Sequence, residues 1–212
     1  MLMDSRLEIG SAGWQYPSWS ENFYDEELPP EWRLTFYSNE FRFCVIPWSD
    51  WGSASQETLE QWADDIEPPF RFFLQIPMEQ VAQISKLPDV LQQHVEGLVI
   101  SSNHKLTHIP DNLQSLAQQY SLHLDMPVDT TVAFPQNILP CWRNTQPDNH
   151  DYQIAIIHDP KVATHLRDLR AQIETFLARQ PHNATQYLVF DYIGLSIETM
   201  RNAMTIASML PG

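Results

Sequence analysis

Asp125, His158 and Asp191 each stand at the end of a short segment that reads as a strand. Two carboxylates and an imidazole could bind a divalent ion that polarises a substrate oxygen. Alternatively, the two carboxylates could flank a glycosidic bond as an acid–base pair. The three lie far apart along the chain, so only the fold can bring them together. The chain carries no HExxH, GxSxG, Walker A or GxGxxG fingerprint. Residue types alone therefore leave the reaction, the substrate and any cofactor open.

Further candidates follow from where a (β/α) barrel keeps its chemistry, at the C-terminal strand ends and the loops after them. Trp14, Tyr16, Trp48, Asp50, Asn103, His104, Asp159 and Tyr192 fall there. Trp14, Tyr16 and Trp19 could stack on a sugar or a base, but plugging the barrel mouth is the favoured reading. Asp159 precedes Pro160 and a helical stripe, the pattern of an N-cap with proline at the first helical position. His158, after four apolar residues, is either a hydrogen-bonded rim residue or a ligand. His104 and His108 read as solvated loop histidines.

The positioning elements are short apolar runs alternating with amphipathic stripes. Strands are expected at Leu7–Ala12, Phe41–Pro47, Phe70–Ile76, Gly97–Ser101, Leu122–Met126, Thr131–Phe134, Gln153–His158 and Tyr187–Asp191. Several are apolar on both phases, the mark of a parallel sheet covered by helices. Leu59, Trp62, Ala63 and Ile66 have helical spacing, with Ser53 and Gln56 as a capping box. Leu113, Leu116, Ala117 and Tyr120 repeat that spacing. So do Leu166, Leu169, Ile173, Phe176 and Leu177, and then Met200, Ala203, Met204 and Ala207. The alternation predicts an α/β fold, a compact TIM-like (β/α) barrel in one domain over 1–212. Crossover helices should be missing or irregular around 127–150. Met126 and Thr131 are too close for a crossover, and Pro127, Pro135, Pro140 and Pro147 fall in this stretch.

Composition narrows the partners. Twelve Lys and Arg against 27 Asp and Glu give a net charge of −15. That field repels a phosphate backbone, and no basic run offsets it, so nucleic acid is an unlikely partner on this reading. Cys44 and Cys141 lack CxxC spacing, and Cys44 reads as a buried structural thiol. No apolar stretch approaches 18 residues and the first ten residues lack an apolar core. A cytoplasmic protein without a membrane span is expected.

The segment Gly10-Ser11-Ala12-Gly13-Trp14-Gln15-Tyr16-Pro17-Ser18-Trp19 is followed by Asn22-Phe23-Tyr24 and Leu28-Pro29-Pro30. This resembles the opening of the YecE-like family, domain of unknown function 72. Leu59–Ala63, Phe70-Arg71-Phe72, Gly194 and Arg201-Asn202-Ala203 resemble later passages. The resemblance implies a TIM-like barrel and no particular activity. The family's polar strand ends are altered here. Cys44-Val45-Ile46-Pro47 stands where the family has Glu-x-Asn, and Gln75 where it has Lys. His123-Leu124-Asp125-Met126 replaces Glu-x-Arg-His, and Asp191-Tyr192 replaces Asn-Asn, whereas His158 is kept.

Two readings follow. One is a hydrolase-type small-molecule site at the barrel mouth. Asp125, His158 and Asp191 would be catalytic, and Trp14, Tyr16, Trp48, Asp50, Gln75, Asn103 and Tyr192 would bind, with or without a divalent metal. The other is a non-catalytic binding or scaffold protein that has lost the family's polar site. A thinned helical shell over 127–149 would then expose apolar surface that a homodimer could cover.

Overall fold

A computed structural model describes residues 7–20, 22–84, 86–127, 132–143, 151–178 and 184–210. Among them are eight strands: β1 Leu7–Ser11, β2 Phe43–Ile46, β3 Arg71–Pro77, β4 Val95–Ser101, β5 Leu122–Asp125, β6 Ile138–Pro140, β7 Ile154–Ile157 and β8 Gln186–Phe190. The α-helices are α1 Arg33–Glu40, α2 Trp48–Trp51, α3 Gln56–Asp64, α4 Asp111–Leu116, α5 Pro160–Thr164, α6 Leu166–Leu177 and α7 Ile197–Met209. Between β3 and β4 the chain uses 3-10 turns at Met78–Gln83 and Gln92–His94. None of the described helices is long and apolar enough to cross a membrane.

All the strand pairs are parallel, and they form two sheets. One runs β1-β8-β7 and the other β2-β3-β4-β5-β6. Of the expected TIM-like barrel, the described residues show the mixed α/β character, as a fold of two parallel sheets. Single bridges, Ala12 to Val45 and Trp142 to Ala155, link their edges. At the first seam the hydroxyl of Tyr37, on α1, accepts from the Ser11 amide at 3.1 Å and donates to the Phe43 carbonyl at 3.1 Å. A side chain thus satisfies backbone groups where β1 and β2 lack a ladder.

The expected strand at Thr131–Phe134 is corrected. Thr131 lies outside the described residues and Val132–Phe134 is not a strand. The sixth strand is Ile138–Pro140, with Leu122, His123 and Leu124 of β5 opposite Ile138, Leu139 and Pro140. Pro140 hides this strand from sequence reasoning, because proline cannot donate to a ladder. Here the ladder resumes one residue later, where the Cys141 amide donates to the Leu124 carbonyl at 2.9 Å. The helix α3 is capped by Ser55, not Ser53: the Ser55 hydroxyl accepts from the Thr58 amide at 3.1 Å. Leu166 begins α6 but is 57% exposed, so the buried stripe there is Leu169, Ile173 and Phe176.

The period-two alternation of strand side chains divides the apolar residues between two cores. Cys44, Phe72, Leu74, Leu98, Ile100, Leu122, Leu124, Ile157 and Phe190 belong to the larger one, together with Leu113, Leu169, Ile173, Phe176, Met200 and other helix residues. The intervening Phe43, Val45, Phe73, Val99, Cys141, Ile154, Ile156, Tyr187 and Val189 form a separate inner cluster. Both sheets supply it. Phe43 and Phe73 of one sheet meet Tyr187 of the other edge-on, each at 4.9 Å between ring centres. Fully burying a ring such as Phe73 stabilises by about 1.5–3 kcal/mol.

Two special positions serve this packing. Gly13, with φ +79°, turns the chain out of β1. Gly10 lies so close to Phe43 that a Cβ there would stand 2.7 Å from its carbonyl oxygen and 2.8 Å from its ring. Gly10→Ala should therefore cost about 1–3 kcal/mol by overpacking. A shift in the urea midpoint at unchanged slope is the check.

The inner side of β5 begins with His123, which is 2% exposed and edge-on to Phe73 at 5.6 Å. Burial pushes its pKa down to about 4, so it is neutral in the fold. Its folded pKa lies below the unfolded value of about 6.5. The unfolded chain therefore takes the proton first, and stability is lost as pH falls from about 6.5 through about 4, by on the order of 3 kcal/mol in full. In urea titrations across this range, the stability of the wild type relative to His123→Leu should fall toward acid pH. A parallel pair of curves is the contrary result.

Candidate functional site

The inward phase of the strands is apolar low down and polar at the C-terminal end. On β3 Phe73 is followed by Gln75, on β4 Val99 by Ser101, and on β5 His123 by Asp125. After β6, Cys141 is followed by Arg143. Ile156 on β7 is followed by His158, and Val189 on β8 by Asp191. Each polar residue is two positions beyond an inward one, so each inherits its direction. The same rule that buries the apolar residues thus places a row of polar groups at one end.

Hydrogen bonds run along that row. Gln75 Nε2 donates to Ser101 Oγ at 2.7 Å, and Gln75 Oε1 accepts from the Trp48 amide at 2.9 Å. Asp125 Oδ1 accepts from Arg143 Nε at 2.8 Å and from its Nη2 at 2.6 Å. His158 Nε2 lies 3.2 Å from both Asp125 oxygens, and His158 Nδ1 lies 3.3 Å from Asp191 Oδ2. The imidazole therefore bridges two carboxylates from different sheets. Asp125 is nearly buried, with its side chain 7% exposed, against 48% for Asp191.

The charges follow from these contacts. Hydrogen bonds to Asp125 and then to Asp191 raise the His158 pKa to about 9, against the opposing effect of burial. His158 is therefore an imidazolium at neutral pH. Burial alone would raise the pKa of Asp125. The bonds and charges of His158 and Arg143 outweigh that and hold it below the ordinary carboxylate value. Two cations and two anions thus form a neutral cluster.

The expected trio of Asp125, His158 and Asp191 does come together. Asp125 and Asp191 line a cavity of about 80 Å³ with Gln75, Val45, Val99 and Ile156. Arg143 and Ser101 complete the row and were missed in the sequence. The available signal was Arg143 closing the apolar run Ile138–Trp142 in phase with Cys141.

The aromatic wall is corrected in part. Trp14 is 3% exposed and packs on Trp62 at 5.2 Å and on Phe72, so it offers no open stacking face. Tyr16 is half-buried on Trp19 at 4.7 Å, and its hydroxyl donates to the Ala12 carbonyl at 2.8 Å. Trp48 is half-buried edge-on to Trp51. Asp50 is exposed and accepts from Ser49 Oγ, and Asn103 is exposed on the loop after β4. Tyr192, half-buried, meets Phe190 edge-on. Asp159 caps α5, accepting from the Lys161 amide at 2.9 Å. Among the described residues no group of three His, Cys, Asp or Glu side chains is arranged to hold a metal ion.

Comparison with known proteins gives the same outline. A family model, protein of unknown function DUF72, matches residues 8–120. A DUF72 family protein from Enterococcus faecalis is similar in structure with a TM-score of 0.61 and 8% identity, 97% of each chain being covered. Another, from Thermotoga maritima, has a TM-score of 0.55 and 12% identity over 95% of this chain and 96% of its own. No curated protein matches.

Removing the central carboxylate should expose the coupling. Asp125→Asn leaves Arg143 and His158 without their shared anion. We expect a stability loss of about 2–3 kcal/mol. The His158 pKa should fall from about 9 toward about 6.5, read by NMR titration of its ring protons. The direction also fixes a pH effect. The bound His158 proton stabilises the fold fully below about 6.5, and that contribution is lost as pH rises through about 9.

Proposed function

The chain belongs to the DUF72 family, which is the YecE-like family, and from that premise we propose a hydrolase-type small-molecule site at the mouth of a TIM-like barrel made by its two sheets. The observation that carries this reading is the imidazolium of His158 held between Asp125 and Asp191 above an inner apolar core. A group with a pKa of about 9 enters a reaction at neutral pH as a proton donor. His158 would protonate the leaving-group oxygen of a bound ester, phosphate or glycoside. Asp191, the more exposed carboxylate, would take the proton of the attacking water. Asp125 and Arg143 would orient the imidazolium, and Gln75 and Ser101 would bind a polar substituent across the cavity. Tyr16, Asn103 and Tyr192 on the surrounding loops, and Trp48 and Asp50 on α2, would be further substrate contacts. The compartment proposed is the cytoplasm.

One observation favours a second reading. Both oxygens of Asp125 and both ring nitrogens of His158 already have partners inside the cluster. Such a closed set can act as a rivet between the sheets in a non-catalytic binding protein.

Turnover separates the two. Nitrophenyl esters, phosphates and glycosides are offered to the wild type and to His158→Gln. The enzymatic reading expects hydrolysis of one class, reduced about 10²–10⁴-fold in the variant and falling in the wild type as pH rises through about 9. No turnover of any class would leave the binding reading, and equal rates in both proteins would remove His158 from the chemistry.

A further inference from the structure

The cavity at the mouth is where the two kinds of inward residue meet. Its apolar lining is Val45, Val99, Ile156 and Val189, all from the inner core, with Ala12 and Pro47. Its polar lining is Gln75, Asp125 and Asp191, from the row at the strand ends. An occupant must therefore be apolar at one end and polar at the other. The volume, about 80 Å³, holds about three water-sized groups. A sugar ring or an aromatic ring is too large, so only a terminal substituent of a substrate can enter.

The charge and hydrogen bonding of the lining narrow that substituent. Arg143 and His158 offset the charges of Asp125 and Asp191. A cation finds both carboxylates already matched, and an anion is repelled by them, so the site favours a neutral group. The side-chain nitrogen of Gln75 carries two N–H groups and spends one on Ser101 Oγ at 2.7 Å, which leaves one donor. Asp191 meets His158 through Oδ2, which leaves Oδ1 as an acceptor. Its side chain is about half exposed, so this acceptor stands at the open edge. The matching occupant carries, in order, a methyl, a carbonyl and an N–H. An ester or a ketone has no N–H for Asp191.

We propose that the mouth cavity binds an acetamido group carried by the substrate. Its methyl lies on Val45, Val99, Ile156 and Val189, its carbonyl accepts from Gln75 Nε2, and its N–H donates to Asp191 Oδ1. The rest of the substrate leaves past Asp191 at the open edge. A carboxylate has about four acceptor sites, so Asp191 keeps room for the attacking water. The inference rests on reading the mouth as a small-molecule site and names the substituent by which that site recognises its substrate.

The test is an NMR titration of the full chain with isotope-labelled Val and Ile methyl groups. N-Methylacetamide is the probe. 2-Butanone has its shape without the N–H, and N-methylbutanamide lengthens its acyl end. The Val99 and Ile156 methyl signals should shift and saturate with N-methylacetamide, and 2-butanone should bind about tenfold more weakly. N-Methylbutanamide should leave the signals in place. In Asp191→Ala the first two probes should bind within about twofold of each other. In Val99→Ala the longer amide should be admitted and should shift the Ile156 signal. If Asp191→Ala does not fold, Val99→Ala carries the test. Signals unmoved at about 50 mM N-methylacetamide overturn the proposal. So does an undiminished preference for the amide in Asp191→Ala, or continued exclusion of the longer amide in Val99→Ala. The methyl glycoside of N-acetylglucosamine and N-acetylalanine methylamide then distinguish an amino sugar from an acylated amino acid as the carrier. The true carrier should bind more tightly than N-methylacetamide, and exclusion of both overturns the proposal. The two readings fail separately. Saturating methyl shifts without turnover sink the hydrolase reading alone. Turnover that depends on His158, with the methyl signals unmoved, sinks only this one.

Discussion

A carboxylate with almost no exposure is tolerated in a protein interior only if other charges compensate it, and Asp125 is such a group. Its partners cannot come from its own strand, where successive side chains point to opposite faces. They come from beyond β6, as Arg143, and from beyond β7, as His158, which in turn reaches Asp191 after β8. Asp125 belongs to the five-stranded sheet, whereas His158 and Asp191 follow strands of the three-stranded one. The requirement to compensate one buried charge therefore ties the two sheets together at the end where their backbone pairing is reduced to single bridges.

Below that layer, shape takes over from charge. Phe43, Phe73 and Tyr187 fill the space between the sheets, and Gly10 leaves room for the Phe43 ring. The inner core is small and almost wholly apolar, so His123 stays neutral within it. This dry floor matters for the site above. Ion pairs at its edge are less screened than surface pairs, which is why two neighbouring carboxylates shift His158 so far from its ordinary value.

The family resemblance and the geometry bear on different questions. The resemblance covers the opening strand and the first helical passages, where Trp14, Trp19, Tyr24 and Tyr37 are packed into an aromatic framework. Those residues build the fold. The polar layer lies apart from that framework, at the strand ends, with Gln75, Ser101, Asp125, His158 and Asp191. A change in the chemistry of the site is compatible with an unchanged scaffold, because the strand ends carry little of the packing.

The sequence by itself determined the alternation of apolar strands with amphipathic helices, and with it the parallel α/β character, the double-sided burial of Val99-Ile100 and Leu188–Phe190, and the cap at Asp159. These are local matters of periodicity and turn chemistry, and a single segment contains all the information they need. Asp125, His158 and Asp191 were legible as strand-end polar residues by the same logic. Tertiary structure alone decided that the ladders form two sheets, that Pro140 belongs to a strand, that Trp14 is walled in, and that Arg143 completes the cluster. Each of these depends on a partner distant in the chain. A proline is harmless to a ladder only when the neighbouring strand asks nothing of its nitrogen, and a charge is placed only where another charge waits for it.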